Sequence, residues 1–147
     1  MNDLKDNLTC LIIDDSVEDV KLICKYAQCD QVDTAPSIKK SIPFLTNPNL
    51  YDVIFIDHNL PDGDSFDLIK LIREKSTIVP IVVITGLADY NLAIQTLRAG
   101  ASGFLAKAEL DEPTLQEVMK TVSEERKNVY KTLLKLTEIE NKLNSYK

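Results

Sequence analysis

The chain contains no apolar stretch near the ~20 residues that a membrane-spanning helix requires. Its opening, MNDLKDNLTC, is polar and acidic and lacks the basic-then-apolar arrangement of a secretory signal. Cysteine is scarce: Cys10, Cys24 and Cys29 are an odd count without metal-ligand spacing. They read as reduced thiols of a cytoplasmic protein, not as a disulfide framework. Positive charge is short as well. With 17 Lys/Arg against 23 Asp/Glu the net charge is −6, which disfavours nucleic acid as a partner for the whole chain. No internal repeat and no low-complexity segment is present.

What is present fits one domain: 147 residues, of which 44% are hydrophobic and 27% charged. The charge is uneven. Residues 1–119 carry 10 Lys/Arg and 19 Asp/Glu, whereas residues 120–147 carry 7 and 4. Short apolar runs alternate with helical spacing. The runs CLII, DVIFID, VPIVVIT and GFLAK read as strands, with a weaker one at QVDTA. Between them, Val17, Val20, Ile23 (or Cys24) and Ala27 mark one helix, and Phe66, Leu68, Ile69 and Ile72 another. SIKKSIPFLTN is a short helix in which Pro43 forces a bend or a late start. DYNLAIQTLRAG is a helix stopped by Gly100, and Pro113 fits the first turn of the last one. Five strands alternating with five helices predict an α/β doubly wound parallel sheet, flavodoxin-like (βα)5, in the order 2-1-3-4-5. Ligands bind such sheets outside the carboxyl ends of the strands, at the switch point between strands 1 and 3.

Chemistry-bearing residues gather at that rim. VIFIDHNLPDG takes a buried-strand pattern straight into Asp57 and then into turn residues. Strand 1 ends in Asp14-Asp15, so three carboxylates converge. Their mutual repulsion is relieved by a hard divalent cation, and oxygen-only ligands suit Mg²⁺. Strand 4 ends in Thr85, a hydroxyl beside Gly86, and strand 5 ends in Lys107, a point charge suited to phosphate oxygens. A metal site, a nucleophile, a hydroxyl and a cation are the parts of phosphoryl transfer. Taken singly, Asp14, Asp15 and Ser16 are also placed to cap the first helix. Side chains alternate along a strand, so His58 points away from Asp57, into a surface or packing role.

In order, and each at a strand end, this set resembles a two-component response-regulator receiver domain over roughly residues 8–122. Asp14 and Asp15 match the family's acidic pair, Asp57 its phospho-acceptor, Thr85 its hydroxyl and Lys107 its lysine. Phe104, three residues before Lys107, matches its switch aromatic. The resemblance implies a histidine kinase or phosphotransfer protein as donor to Asp57. It implies Mg²⁺ held by Asp15 directly, by Asp14 through water, by Asp57 and by the backbone carbonyl of Asn59. Thr85 and Lys107 would bind the phosphoryl oxygens. Phosphorylation adds about −1.5 to −2 charge. Thr85 moving toward it would open room for Phe104 to turn inward. The face of the fourth helix, fifth strand and fifth helix would then meet a downstream protein. The resemblance thus describes a switch, not a turnover enzyme: it catalyses only its own phosphorylation and slow hydrolysis. A degenerate receiver acting as a phosphorylation-independent binding module is the alternative. A hydrolase on the same fold lacks a second general acid and a capping insertion.

The boundaries expected are a receiver domain at 1–122 and a helical extension at 123–147. The extension has no Gly or Pro. Val122, Val129, Leu136 and Leu143 recur every seven residues, as in a coiled-coil seam. A parallel homodimer through helix 5, a signalling linker and a lone amphipathic helix are the readings of that repeat. No DNA-binding module is expected in the remaining residues. The family usually has proline after the lysine, joined by a cis bond, and here Ala108 stands there. A cis bond before a non-proline residue costs about 2.5–4 kcal/mol, so a trans Lys107–Ala108 bond is expected. Leu87, two residues after Thr85, cannot hydrogen-bond an attacking water. Slow self-dephosphorylation is therefore expected, and Leu87→Glu should shorten the phosphoryl lifetime in a mass-spectrometric decay assay; an unchanged lifetime would count against this.

Overall fold

The computed structural model describes residues 7–86 and 89–146, so Leu87 lies outside the described residues. Strand β1 (Thr9–Ile13) leads into helix α1 (Val17–Ala27), strand β2 (Gln31–Ala35) and the short helix α2 (Ile38–Ser41). Strand β3 (Val53–Asp57) is followed by a small hairpin of β4 (Asn59–Leu60) and β5 (Gly63–Asp64), then by α3 (Ser65–Lys75). Strand β6 (Ile81–Thr85), helix α4 (Tyr90–Ala99), strand β7 (Gly103–Ala106) and helix α5 (Glu112–Ser145) complete the series. The longer strands form one parallel five-stranded sheet in the order β2-β1-β3-β6-β7. This is the 2-1-3-4-5 arrangement, and the chain has the flavodoxin-like receiver fold.

The apolar runs explain the sheet. Every residue of β3 and β6 is buried, because both faces of the sheet are covered. Ile54, Ile56 and Val83 face one core with Leu68, Ile69 and Ile72 of α3. Val53, Phe55 and Val82 face the other with Ile23 of α1 and Leu115, Met119 and Val122 of α5. Cys10 is buried in that second core, Cys24 and Cys29 pack against it, and all three are free thiols. Helix starts are set by capping side chains. Ser16 caps α1, Asp64 forms a capping box with Asp67 on α3, and Asp89 and Asp111 cap α4 and α5.

Two local expectations need correction. Val17 is 68% exposed, since α1 buries only Ile23 and Ala27. The fifth strand stops at Ala106, and Lys107 opens a 3-10 turn, Lys107–Glu109. Other details hold. The turn read after Asp57 is present at residues 61–62 and closes the β4–β5 hairpin. α2 tightens at Pro43 into a 3-10 turn, Ile42–Leu45. No peptide bond among the described residues is cis, so Lys107–Ala108 is trans.

Helix α5 runs unbroken for 34 residues. Past Val122, Arg126 still engages the body: it pairs with Asp52 at 3.5 Å and donates to the carbonyl of Tyr51 at 3.2 Å. Further on, Leu133, Leu136, Ile139 and Leu143 are exposed. No described helix is long and apolar enough to cross a membrane.

The hairpin depends on Gly63. Its φ is +156°, and a Cβ there would lie 2.6 Å from Ile38 Cδ1 and 2.9 Å from Asp67 Oδ2. Gly63→Ala is therefore expected to lower Tm by roughly 3–10 °C, from about 1–3 kcal/mol of backbone strain. Thermal melting followed by circular dichroism checks this, and an unchanged Tm would show that the hairpin relaxes.

Candidate functional site

Burying β1 and β3 on both faces brings their carboxyl ends side by side, with Ile13 opposite Ile56. Asp14 follows the first strand and Asp57 ends the second. Asp14 is held by its backbone N–H, which donates to the Ala35 carbonyl at 3.0 Å. Its Oδ1 accepts from the Ser16 N–H at 2.9 Å. Its Oδ2 is buried and accepts no hydrogen bond. Asp57 is buried, and its Oδ1 accepts from the Asn59 N–H at 3.3 Å. Asp15 is exposed beside them, and one oxygen of each of Asp14, Asp15 and Asp57 lies within 4.8 Å of the others. A buried carboxylate oxygen without a donor, in an all-oxygen set, suits a hard divalent cation such as Mg²⁺.

Lys107 reaches into this cluster from the end of β7. Its Nζ lies 2.7 Å from Asp19 Oδ2, 3.1 Å from Asp57 Oδ2 and 3.5 Å from Asp14 Oδ2. Partial burial pulls the ammonium pKa down. The hydrogen bonds that the ammonium donates to Asp19 and Asp57, with the charge of Asp14, more than reverse this, and the net shift is upward. Lys107 is firmly cationic. Asp19 is a site residue that the sequence pattern does not mark. It sits in the first turn of α1, after the Ser16 cap, a place that by itself does not single it out from Glu18.

Thr85 is fully buried at the end of β6, in register with Ala106. Phe104 pairs with Val83, is half-buried and packs on the α3-side core. In-register neighbours share a sheet face, so Thr85 and Phe104 lie on the same face two positions apart. Asn59 lies in the hairpin beyond Asp57. That hairpin's loop is pinned to the sheet's flank by Asp62, whose carboxylate accepts from the N–H groups of Ile38 and Lys39, both at 2.9 Å. Those two bonds hold the Asp62 carboxyl below its ordinary value. His58 turns away from Asp57: its Nδ1 shares a hydrogen bond with Ser65 Oγ at 2.7 Å, and its ring meets Phe66 edge-on.

The unrelieved charge has a measurable consequence. Burial pushes the Asp14 carboxyl up to about 6, Asp57 adds to this, and the Ser16 N–H and Lys107 oppose it. A carboxyl whose folded pKa exceeds its unfolded value of about 3.9 favours folding most when protonated. Its contribution is lost as pH rises from about 4 to about 6. Such a shift corresponds to on the order of 3 kcal/mol. In metal-free protein near neutral pH, Asp14→Asn is therefore expected to raise Tm by about 5 °C or more and to flatten the acid side of the stability profile. A Tm at or below wild type would show that Asp14 is relieved by another route.

Comparison with known proteins bears directly on this geometry. Residues 10–120 match the response regulator receiver domain. The response regulator protein PilR of Pseudomonas aeruginosa is 32% identical over 113 residues, 76% of this chain and 25% of that protein. The two-component response regulator ARR18 of Arabidopsis thaliana is 29% identical over 103 residues, 69% of this chain and 15% of its own length. The chain thus spans a quarter or less of these relatives. Among solved structures, a CheY-like receiver domain protein from Methanospirillum hungatei superposes with a TM-score of 0.73 at 19% identity, covering 84% of this chain and 98% of its own. A putative response regulator from Chloroflexus aurantiacus gives 0.69 at 27% identity, covering 81% and 99%. The matched segment takes in all of the rim residues described above, and the chain accordingly belongs to the response regulator receiver domain family.

Proposed function

We propose that this protein is a phosphorylation-dependent response regulator whose acceptor is Asp57. The observation that carries this reading is the pairing of a buried, strand-end carboxylate with a lysine ammonium at 3.1 Å, beside two further carboxylates. A histidine kinase or a phosphotransfer protein is the donor. One Asp57 oxygen attacks phosphorus in line, forming the P–O bond as the bond to the donor's leaving group breaks. Asp14, Asp15, Asp57 and the Asn59 carbonyl would hold Mg²⁺, which when bound offsets charge on the phosphoryl oxygens. Lys107 donates to those oxygens, and the Thr85 hydroxyl closes on them as the product forms. Phosphorylation adds about −1.5 to −2 charge to the rim.

The readout follows from the shared face of Thr85 and Phe104. Movement of Thr85 toward the phosphoryl group leaves space for Phe104 to turn inward. A groove of about 280 Å³ beside Phe104, lined also by Gly103, Val118 and Val122, changes shape with it. The α4-β7-α5 face is then the surface offered to a downstream protein. A receiver domain of 1–122 with a helical extension at 123–147 is the organisation that goes with this reading. The exposed Val129, Leu133, Leu136, Ile139 and Leu143 support a second element of it, a homodimer through paired α5 helices.

Intact-protein mass after incubation with acetyl phosphate and Mg²⁺ tests the proposal. One added phosphoryl group is expected, absent from Asp57→Ala. No added mass, and no binding of beryllofluoride, would leave the phosphorylation-independent binding module as the function. Light scattering on the same samples tests the helix pairing: a dimer that Leu136→Glu dissociates is expected, and a monomer in both phosphorylation states would remove that element.

A further inference from the structure

The chain leaves β7 at Ala106 into a single 3-10 turn that contains Lys107. None of the turn's residues is buried, and no side chain caps it. The backbone therefore does little to aim a long, rotamer-rich lysine side chain. Its direction comes from the acceptors around the ammonium. An ammonium has three N–H donors, and three carboxylates surround this one: Asp19 at 2.7 Å, Asp57 at 3.1 Å and Asp14 at 3.5 Å. They come from three separate elements, and the shortest contact is to Asp19. Asp19 is also the one of the three outside the clustered carboxylates suited to a metal ion. It is firmly mounted. Its N–H donates to Ser16 Oγ at 3.3 Å, and α1 is tied to α5 through Gln116 Nε2 and the Tyr26 carbonyl at 2.8 Å.

We propose that Asp19 is a positioning residue for phosphoryl transfer, holding the Lys107 ammonium so that one N–H stays aimed at the group arriving on Asp57. The inference rests on Asp57 being the acceptor. Phosphorylation makes the Asp57 carboxyl itself neutral and places about −1.5 to −2 charge on the phosphoryl oxygens just beyond it. Asp19, 2.7 Å from the ammonium and untouched by that change, holds one N–H so that another turns to the phosphoryl oxygens and not to Asp14. A simple charge effect has the opposite sign: removing a carboxylate would reduce repulsion of an anionic donor and speed the reaction.

The test is the initial rate of phosphorylation by acetyl phosphate at saturating Mg²⁺, read by intact mass and expressed per folded molecule. The proteins compared are wild type, Asp19→Asn, Lys107→Gln and the double variant. Asp19→Asn is nearly isosteric and is expected to react about tenfold more slowly, a partial loss against the ~100-fold that a 1 Å misplacement can cost. In the Lys107→Gln background the same substitution is expected to cost nothing further, because its effect runs through the lysine. A faster or unchanged rate, losses that add in the double variant, or an Asp19→Asn chain that fails to fold would each overturn the inference. Failure of the underlying reading looks different: wild type itself would take up no phosphoryl group, or Asp57→Ala would take up as much, and both proposals would fall together.

Discussion

Charge at the end of buried strands is the constraint on which the rest of this structure depends. A parallel sheet covered on both faces delivers its strand ends to one edge, and here that edge receives carboxylates. Asp14 and Asp57 are buried there, Asp15 and Asp19 stand beside them, and a single lysine side chain touches three of the four. The carboxylates repel one another in a medium that screens poorly. Lys107 offsets part of this, and a hydrogen bond from a neighbouring backbone N–H offsets part at both Asp14 and Asp57. Asp14 Oδ2 remains without a donor. A rim left under tension in this way responds strongly to any added cation or anion, which is what a switch needs.

The fold keeps that tension local. Each sheet face carries its own apolar core, and the strands that lead into the acidic residues are inner ones, β3 buried along its whole length and β1 from Cys10 onward. The large cores hold the rim's geometry, so rearrangement is left to the lighter parts. Helix α4 is the clearest of these: of its residues only Thr96 is buried, while Tyr90 is 81% exposed. Weakly packed elements are the ones that move in switching proteins, and α4 borders the face offered to partners in the proposed function.

The sequence made the sheet legible because two-faced strands read as short apolar runs, and because the turn residues after Asp57 are unambiguous. The acidic cluster was legible for the same reason: strand order alone places residues 14, 15 and 57 together. Asp19 was not, since nothing in a helix's first turn says which neighbour its carboxylate meets; that depends on where Lys107 lands after β7. The end of β7 also escaped, because Lys107 continues the strand's pattern by one residue and only the tightening of the backbone into a 3-10 turn ends it. Val17 looked like core and is exposed, because it falls on the solvent side of α1, whose buried positions are Ile23 and Ala27.

Helix α5 begins next to the turn carrying Lys107 and ends far from it. At about 1.5 Å per residue its 34 residues make a rod of roughly 50 Å, of which only the first few turns are bedded in the core. Such a rod is a lever with its fulcrum near Arg126, where the Asp52 pair and the Tyr51 carbonyl grip it. A tilt of a few degrees at the root becomes a sweep of a few ångströms at the tip. The tail thereby carries motion outward: a displacement of the inner arm, about 21 Å long, reappears reversed and only slightly enlarged over the outer arm of about 28 Å, with no hinge between them.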